Sequence, residues 1–230
     1  MNRRFDGVAF DLDGTLYPNY RLNIRIIPSL FVLKEFPLLW AMGKARNQLR
    51  AAPDAYPQGA FYEIQAEFMA KILKDEPETV QKKTTALIYR GWESLFTRIA
   101  PFPWVRETLK TLRKEGFKLG VLSDFPPEAK LLNMGLDGYW DTVLCSEVIG
   151  RIKPHPLPFL ELARRLGAPA ERILYVGNSV RYDIIGAKRA GMKAALVTPS
   201  IIKRFHRPGN ADFVFSDYRQ LSKYVLRLVQ

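Results

Sequence analysis

Six short apolar runs, most of them separated from the next by a stretch with helical periodicity, constrain this chain more than any other feature. They are Val8-Ala9-Phe10, Leu119 to Leu122, Val143 to Cys145, Ile173 to Val176, Ala194 to Val197 and Phe213 to Phe215. A strand covered on both faces reads as a continuous apolar run. Interleaving such runs with amphipathic helices predicts an α/β class, a Rossmann-like parallel sheet with helices on both faces. The expected helices are Val105 to Glu115, Leu157 to Leu166 and Ile184 to Ala190, stopped by Gly116, Gly167 and Gly191. A last one, Tyr218 to Val229, repeats Leu221, Val225 and Leu228 at helical spacing.

Residues 17 to 101 break this rhythm. They contain no convincing strand, and Phe61, Ile64, Phe68 and Ile72 fall on one helical face. Pro28, Pro37, Pro53, Pro57 and Pro77 cut the region into several helices, and Pro101 and Pro103 mark the return to the sheet. The expected division is a catalytic core of residues 1–16 and 102–230 and an inserted α-helical cap of residues 17–101. The most hydrophobic stretch, Ile26 to Met42, holds Pro28, Lys34, Glu35 and Pro37. It falls short of the roughly 20 uninterrupted apolar residues of a membrane span and reads as a buried or interfacial helix.

Charge narrows the partners. The 35 Lys and Arg against 23 Asp and Glu leave a formal charge of +12, which favours anions such as phosphorylated metabolites, nucleic acid or acidic lipid. The basic residues are spread along the chain, so a generally positive surface explains them without a nucleic-acid site. Cys145 is the only cysteine, which excludes an internal disulfide and a cysteine-ligated cluster and suits a reducing cytoplasm. The first six residues lack the apolar core of a signal peptide, so secretion is not expected.

The chemistry collects at strand ends. The first run delivers Asp11-Leu12-Asp13-Gly14-Thr15-Leu16 at the edge where open parallel sheets bind ligands. Taken alone, Asp11 and Asp13 could be turn residues bonding backbone amides. Three later strand ends add Ser123-Asp124, Lys153, and Gly177-Asn178 with Asp183. Each has a bland alternative: Ser123 or Asp124 as cap of a helix near Pro126 and Pro127, Lys153 as a solvated lysine, Asp183 as a helix-capping or supporting carboxylate.

In this order the residues resemble the haloacid dehalogenase superfamily of phosphohydrolases, with its DxDGT strand end, Ser or Thr, Lys and late acidic loop. The insertion is similar to the cap of the superfamily's C1 group. The resemblance covers about the whole chain. It implies that Asp11 is a nucleophile forming an aspartyl-phosphate and that Asp13 is the acid and then the base. It further implies that Thr15, Ser123, Asp124 and Lys153 hold the phosphoryl group, and that Mg2+ binds Asp11, the Asp13 carbonyl and the late loop. There the sequence departs from the family: Asn178 stands where an aspartate is usual, so either Asp183 compensates or the cation binds more weakly.

The function expected from that resemblance is a cytoplasmic, Mg2+-dependent phosphatase acting on a small phosphorylated metabolite, with no membrane span. Its rivals are a phosphomutase using the same carboxylates, and a non-catalytic basic module binding nucleic acid. His155 and His206 are too few for a zinc site, and Cys145 reads as a core thiol. The Lys203-Arg204-Phe205-His206-Arg207 cluster reads as a solvated loop, while Tyr20, Arg21 and Arg25 could meet a substrate or serve helical packing.

Overall fold

A computed structural model describes residues 4–20, 36–91, 96–97, 99–198 and 210–227. Arg21, Arg25, Lys203 to Arg207 and Leu228 lie outside them.

All six apolar runs are strands: β1 (Gly7–Phe10), β2 (Lys118–Ser123), β3 (Thr142–Cys145), β4 (Ile173–Gly177), β5 (Lys193–Val197) and β6 (Phe213–Phe215). They form one parallel sheet in the order β3-β2-β1-β4-β5-β6. β1 is flanked by β2 on one side and β4 on the other, with Phe10 level with Val121 and Val176. The chain therefore runs outward in opposite directions from β1, and a crevice opens at the C-terminal ends of β1 and β4.

Alternation along the strands divides the core. Val8 and Phe10 join one cluster with Leu109, Leu112, Leu221 and Val225, while Ala9 faces the other with Leu122, Phe159 and Leu162. The first cluster is covered by α4 (Val105–Lys114), α5 (Glu128–Asn133) and α9 (Tyr218–Leu226). Beneath the second lie α7 (Pro156–Leu166) and α8 (Ile185–Arg189), with α6 (Ser146–Ile149) following β3. α7 starts on Pro156, with His155 Nδ1 accepting from Leu157 N at 3.1 Å, and ends at Gly167 with φ +61°. Both are standard start and stop chemistry. His155 is thus a helix cap.

Between β1 and β2 the described residues form helices α1 (Phe36–Ala51), α2 (Phe61–Leu73) and α3 (Pro77–Thr84), the last running into a wider π-helical turn over Thr85–Arg90. Leu38, Ala41, Met42, Ala45, Met69, Ala70, Val80 and Ile88 make a separate apolar cluster there. The buried stripe of α2 differs from the expected one. Phe61 is buried, but Ile64, Phe68 and Ile72 are only half-buried, and Gln65, Ala66, Met69 and Ala70 go fully inside. Packing between α1 and α3 selects the face that admits small and flexible side chains at close approach. No described helix is long and apolar enough to cross a membrane.

Candidate active site

The backbone amide of Asp11 donates to the Val176 carbonyl at 2.9 Å, extending the β1–β4 ladder by one residue. This pins the Asp11 backbone at the crevice. The chain then turns sharply, with the amides of Thr15 and Leu16 donating to the Leu12 carbonyl at 3.2 and 3.0 Å. Gly14 takes φ +85°, and a Cβ there would come within 2.2 Å of Asn178 Nδ2. The left-handed backbone favours glycine here, and a larger residue would also displace the Asn178 side chain. Thr15 Oγ1 donates to Asp11 Oδ2 at 2.7 Å and lies 3.4 Å from Asn178 Oδ1.

Lys153 is the hub of the site. It is 3% exposed, and its Nζ donates to Asp11 Oδ1 at 2.6 Å and Asp183 Oδ1 at 2.7 Å, with the Tyr175 hydroxyl at 3.4 Å. The solvated-lysine alternative is overturned. Burial opposes the ammonium charge, but Asp11 and Asp183 outweigh it and hold the Lys153 pKa well above the ordinary lysine value. Asp183 reaches the hub from a π-helical turn over Val180–Ile184, and its Oδ2 accepts from Ser179 N at 2.9 Å. A Cβ on Gly177 would lie 2.3 Å from that of Asp183, so glycine ends β4 because the aspartate folds back against it.

One ammonium thus serves two buried carboxylates. Burial first, then the charge of Asp183, push Asp11 up to about 7, with Lys153 opposing both.

Asp13 has different partners. Lys130 Nζ donates to Asp13 Oδ1 at 2.6 Å and Oδ2 at 2.8 Å, and the Tyr17 hydroxyl makes a short bond to Oδ1. Burial and the Asp13 charge raise the Tyr17 pKa, which keeps that phenol a donor.

Ser123 is fully buried at the end of β2, where its Oγ accepts from Phe125 N at 3.2 Å. Asp124 caps no helix: α5 begins after Pro127 without a side-chain cap. Instead, Asp124 Oδ1 accepts from Ser146 Oγ at 2.6 Å and Lys153 N at 3.0 Å, and Oδ2 from Arg50 at 2.9 Å. Burial works against its charge, yet Lys153, Arg46 and Arg50 hold the pKa below the ordinary value. Arg46 also forms a short bond to the buried Glu147, and Arg50 Nε donates to the Lys153 carbonyl at 2.8 Å. Helix α1 is thereby latched onto the core beside the site.

Asp11, Thr15, Lys153, Asn178 and Asp183 thus form one connected group, with Asp13 on the same loop and Ser123 and Asp124 at the neighbouring strand end. Sequence reading missed Lys130, Tyr17, Arg46 and Arg50. A first-turn residue of a helix leaving a strand tip points back toward that tip, which was the available signal for Lys130. For Arg46 and Arg50 it was two arginines four apart on the helical face that also carries Met42 and Leu49.

A divalent cation fits this donor set. Among the described residues no three His, Cys, Asp or Glu side chains are grouped to hold a metal ion. Two hard oxygens nevertheless converge on one hydroxyl, Asp11 Oδ2 and Asn178 Oδ1 on Thr15 Oγ1. The second carboxylate at Lys153 leaves negative charge for a cation to balance. Mg2+ takes few protein ligands, all oxygen, and keeps several waters.

Comparison with known proteins identifies relatives of the chain. Residues 5–191 match the family described as haloacid dehalogenase-like hydrolase. The chain is 31% identical over 238 residues to a phosphoglycolate phosphatase of Mannheimia succiniciproducens, covering 98% of this chain and all of that protein. It is also 31% identical over 189 residues to a glyceraldehyde 3-phosphate phosphatase of Methanopyrus kandleri, with 80% of each covered. Among solved structures, a 2-haloacid dehalogenase of Pseudomonas syringae pv. Tomato superposes with a TM-score of 0.66 at 25% identity, over 98% of this chain and 100% of the other.

Proposed function

Because the chain belongs to the haloacid dehalogenase-like hydrolase family, we propose that it hydrolyses a small phosphate monoester through an aspartyl-phosphate on Asp11. The observation that carries this reading is the Asp11 carboxylate, pinned at the switch point between Lys153 and Thr15 with Asp13 two residues away. Relatives named as phosphatases of phosphoglycolate and glyceraldehyde 3-phosphate support a small phosphorylated substrate.

In the first step an Asp11 oxygen bonds to phosphorus while the bond to the leaving oxygen breaks, and Asp13 gives that oxygen a proton. Water then attacks phosphorus, Asp13 takes its proton, and the Asp11–phosphorus bond breaks to release phosphate. Splitting the transfer replaces one hard step with two easier ones. In this reading Ser123 donates its hydroxyl proton to the phosphoryl group, and Lys153 offsets charge on the nucleophile. Asp11, the Asp13 carbonyl and Asn178 would hold Mg2+, which when bound supplies charge compensation for the phosphoryl oxygens. Asp183, with one oxygen on Lys153 and the other on Ser179 N, acts in this reading by fixing the lysine. The helices α1 to α3 would be the cap, excluding bulk water from the site. Asp13 is also the reason to place phosphate transfer above dehalogenation, since it supplies the acid and base that phosphate chemistry needs.

The test is phosphate release from a panel of phosphorylated metabolites with Mg2+ or EDTA, together with trapping of radiolabelled phosphoenzyme. Mg2+-dependent release, lost with the label in Asp11→Asn, is expected. Turnover by Asp11→Asn equal to that of the parent would overturn the proposal. Asn178→Asp adds a charged ligand, so calorimetric titration should show Mg2+ binding tighter by about tenfold, equivalent to about 1.4 kcal/mol. Unchanged affinity would remove Asn178 from the cation site.

A further inference from the structure

We propose that Lys130 is a positioning residue that holds one oxygen of Asp13, Oδ2, ready to take the proton of the attacking water. The inference rests on the phosphatase reading and goes beyond it, because no strand-end motif contains this residue.

Lys130 is 4% exposed, on the first turn of α5. Its ammonium spans both Asp13 oxygens at 2.6 and 2.8 Å. Behind it stand two rings, those of Phe96 and Phe125, with centroids 5.0 and 5.7 Å from Nζ. A cation so enclosed by a carboxylate and aromatic faces has little rotamer freedom, and it passes that rigidity to its partner. The two Asp13 oxygens are not equivalent. Oδ1 accepts from both Tyr17 and Lys130, whereas Oδ2 accepts from Lys130 alone among the described residues. Two donors on one oxygen and one on the other fix the carboxylate plane and leave Oδ2 the freer acceptor. The Asp13 side chain is also less buried than that of Asp11, 26% exposed against 8%.

Lys130 touches neither the phosphorus nor the water in this account; it acts through Asp13. Water activation belongs to the second step, so loss of Lys130 should slow dephosphorylation while sparing formation of the aspartyl-phosphate when the leaving group needs no proton. p-Nitrophenyl phosphate has such a leaving group and is the probe.

With Mg2+ present, Lys130→Met should lower kcat on p-nitrophenyl phosphate by about 10²-fold, the scale of a displaced general base. kcat/KM should fall less than about tenfold, and rapid mixing should show a burst of nitrophenol with phosphoenzyme accumulating. Equal losses in kcat and kcat/KM without a burst would mean that Lys130 only supports the fold, and parental kinetics would mean that it does nothing; either overturns the proposal. If Lys130→Met does not fold, Lys130→Gln decides, because it keeps a polar side chain there and removes the ammonium that spans both Asp13 oxygens. The same split supports the proposal, and uniform loss or no loss defeats it. A parent protein that turns over neither this ester nor any metabolite tested would sink the phosphatase reading itself, whereas an active parent with unselective variants sinks only the role of Lys130.

Discussion

Asp11→Asn is expected to abolish turnover and, in EDTA at pH 8, to make the protein more stable than its parent. The reason is the charge count at Lys153, where one ammonium faces two buried carboxylates. Asp11 is raised from its ordinary 3.8 to about 7, by burial first and Asp183 next. The folded state therefore holds the Asp11 proton more tightly than the unfolded chain does. Stability consequently falls as pH rises from near 4 to about 7, where the unfolded chain has lost that proton and the folded one still keeps it. At about 1.4 kcal/mol per pH unit, the interval bounds the gain from removing the charge at about 4 kcal/mol. Lost bonds to Lys153 and Thr15 offset part of this, leaving about 2 kcal/mol, or several degrees in Tm for a chain of this size. The advantage should shrink toward pH 4. It should also narrow when Mg2+ is added, because only the parent gains a tight ligand. Thermal unfolding at several pH values measures it, and an Asn variant less stable than the parent at pH 8 would refute the charge count.

Lys153→Met should have the opposite and larger effect. It leaves Asp11 and Asp183 buried without their shared counter-ion, and stranding a buried charge in this way costs about 3–5 kcal/mol. Against a typical total of about 5–15 kcal/mol, the variant would sit near the limit of folding. Adding Asp183→Asn to Lys153→Met removes one stranded charge and should recover about half of the lost stability, but no activity. Urea unfolding followed by tryptophan fluorescence gives the coupling between the two positions as a double-mutant cycle. Simple additivity would show that the Lys153–Asp183 contact at 2.7 Å contributes nothing.

Much of the fold was legible because its signals are local. Each strand carries an apolar run of three or four residues bounded by turn chemistry, and each expected strand lies within an observed one. Gly167 ended α7 as expected, since a left-handed residue is a local requirement. The buried face of α2 was not legible. Ile64, Phe68 and Ile72 are more hydrophobic than Gln65, yet Gln65 is 2% exposed and they are not. Which side of a helix is covered depends on what packs against it, and α2 is flanked by α1 and α3.

The candidate site divides along the same line. From the sequence alone came the strand ends that present Asp11, Ser123 and Asn178, because a hydrophobic run followed by glycine or a polar residue states where a buried strand stops. Tertiary structure alone supplied two counter-ions, Lys130 for Asp13 across 117 positions and Arg50 for Asp124 across 74, and it set the contact of Lys153, a residue that motif order had already named, with Asp11 across 142. A salt bridge requires its charged atoms within about 4 Å of one another, and hydrophobic periodicity carries no record of which distant segments will come that close.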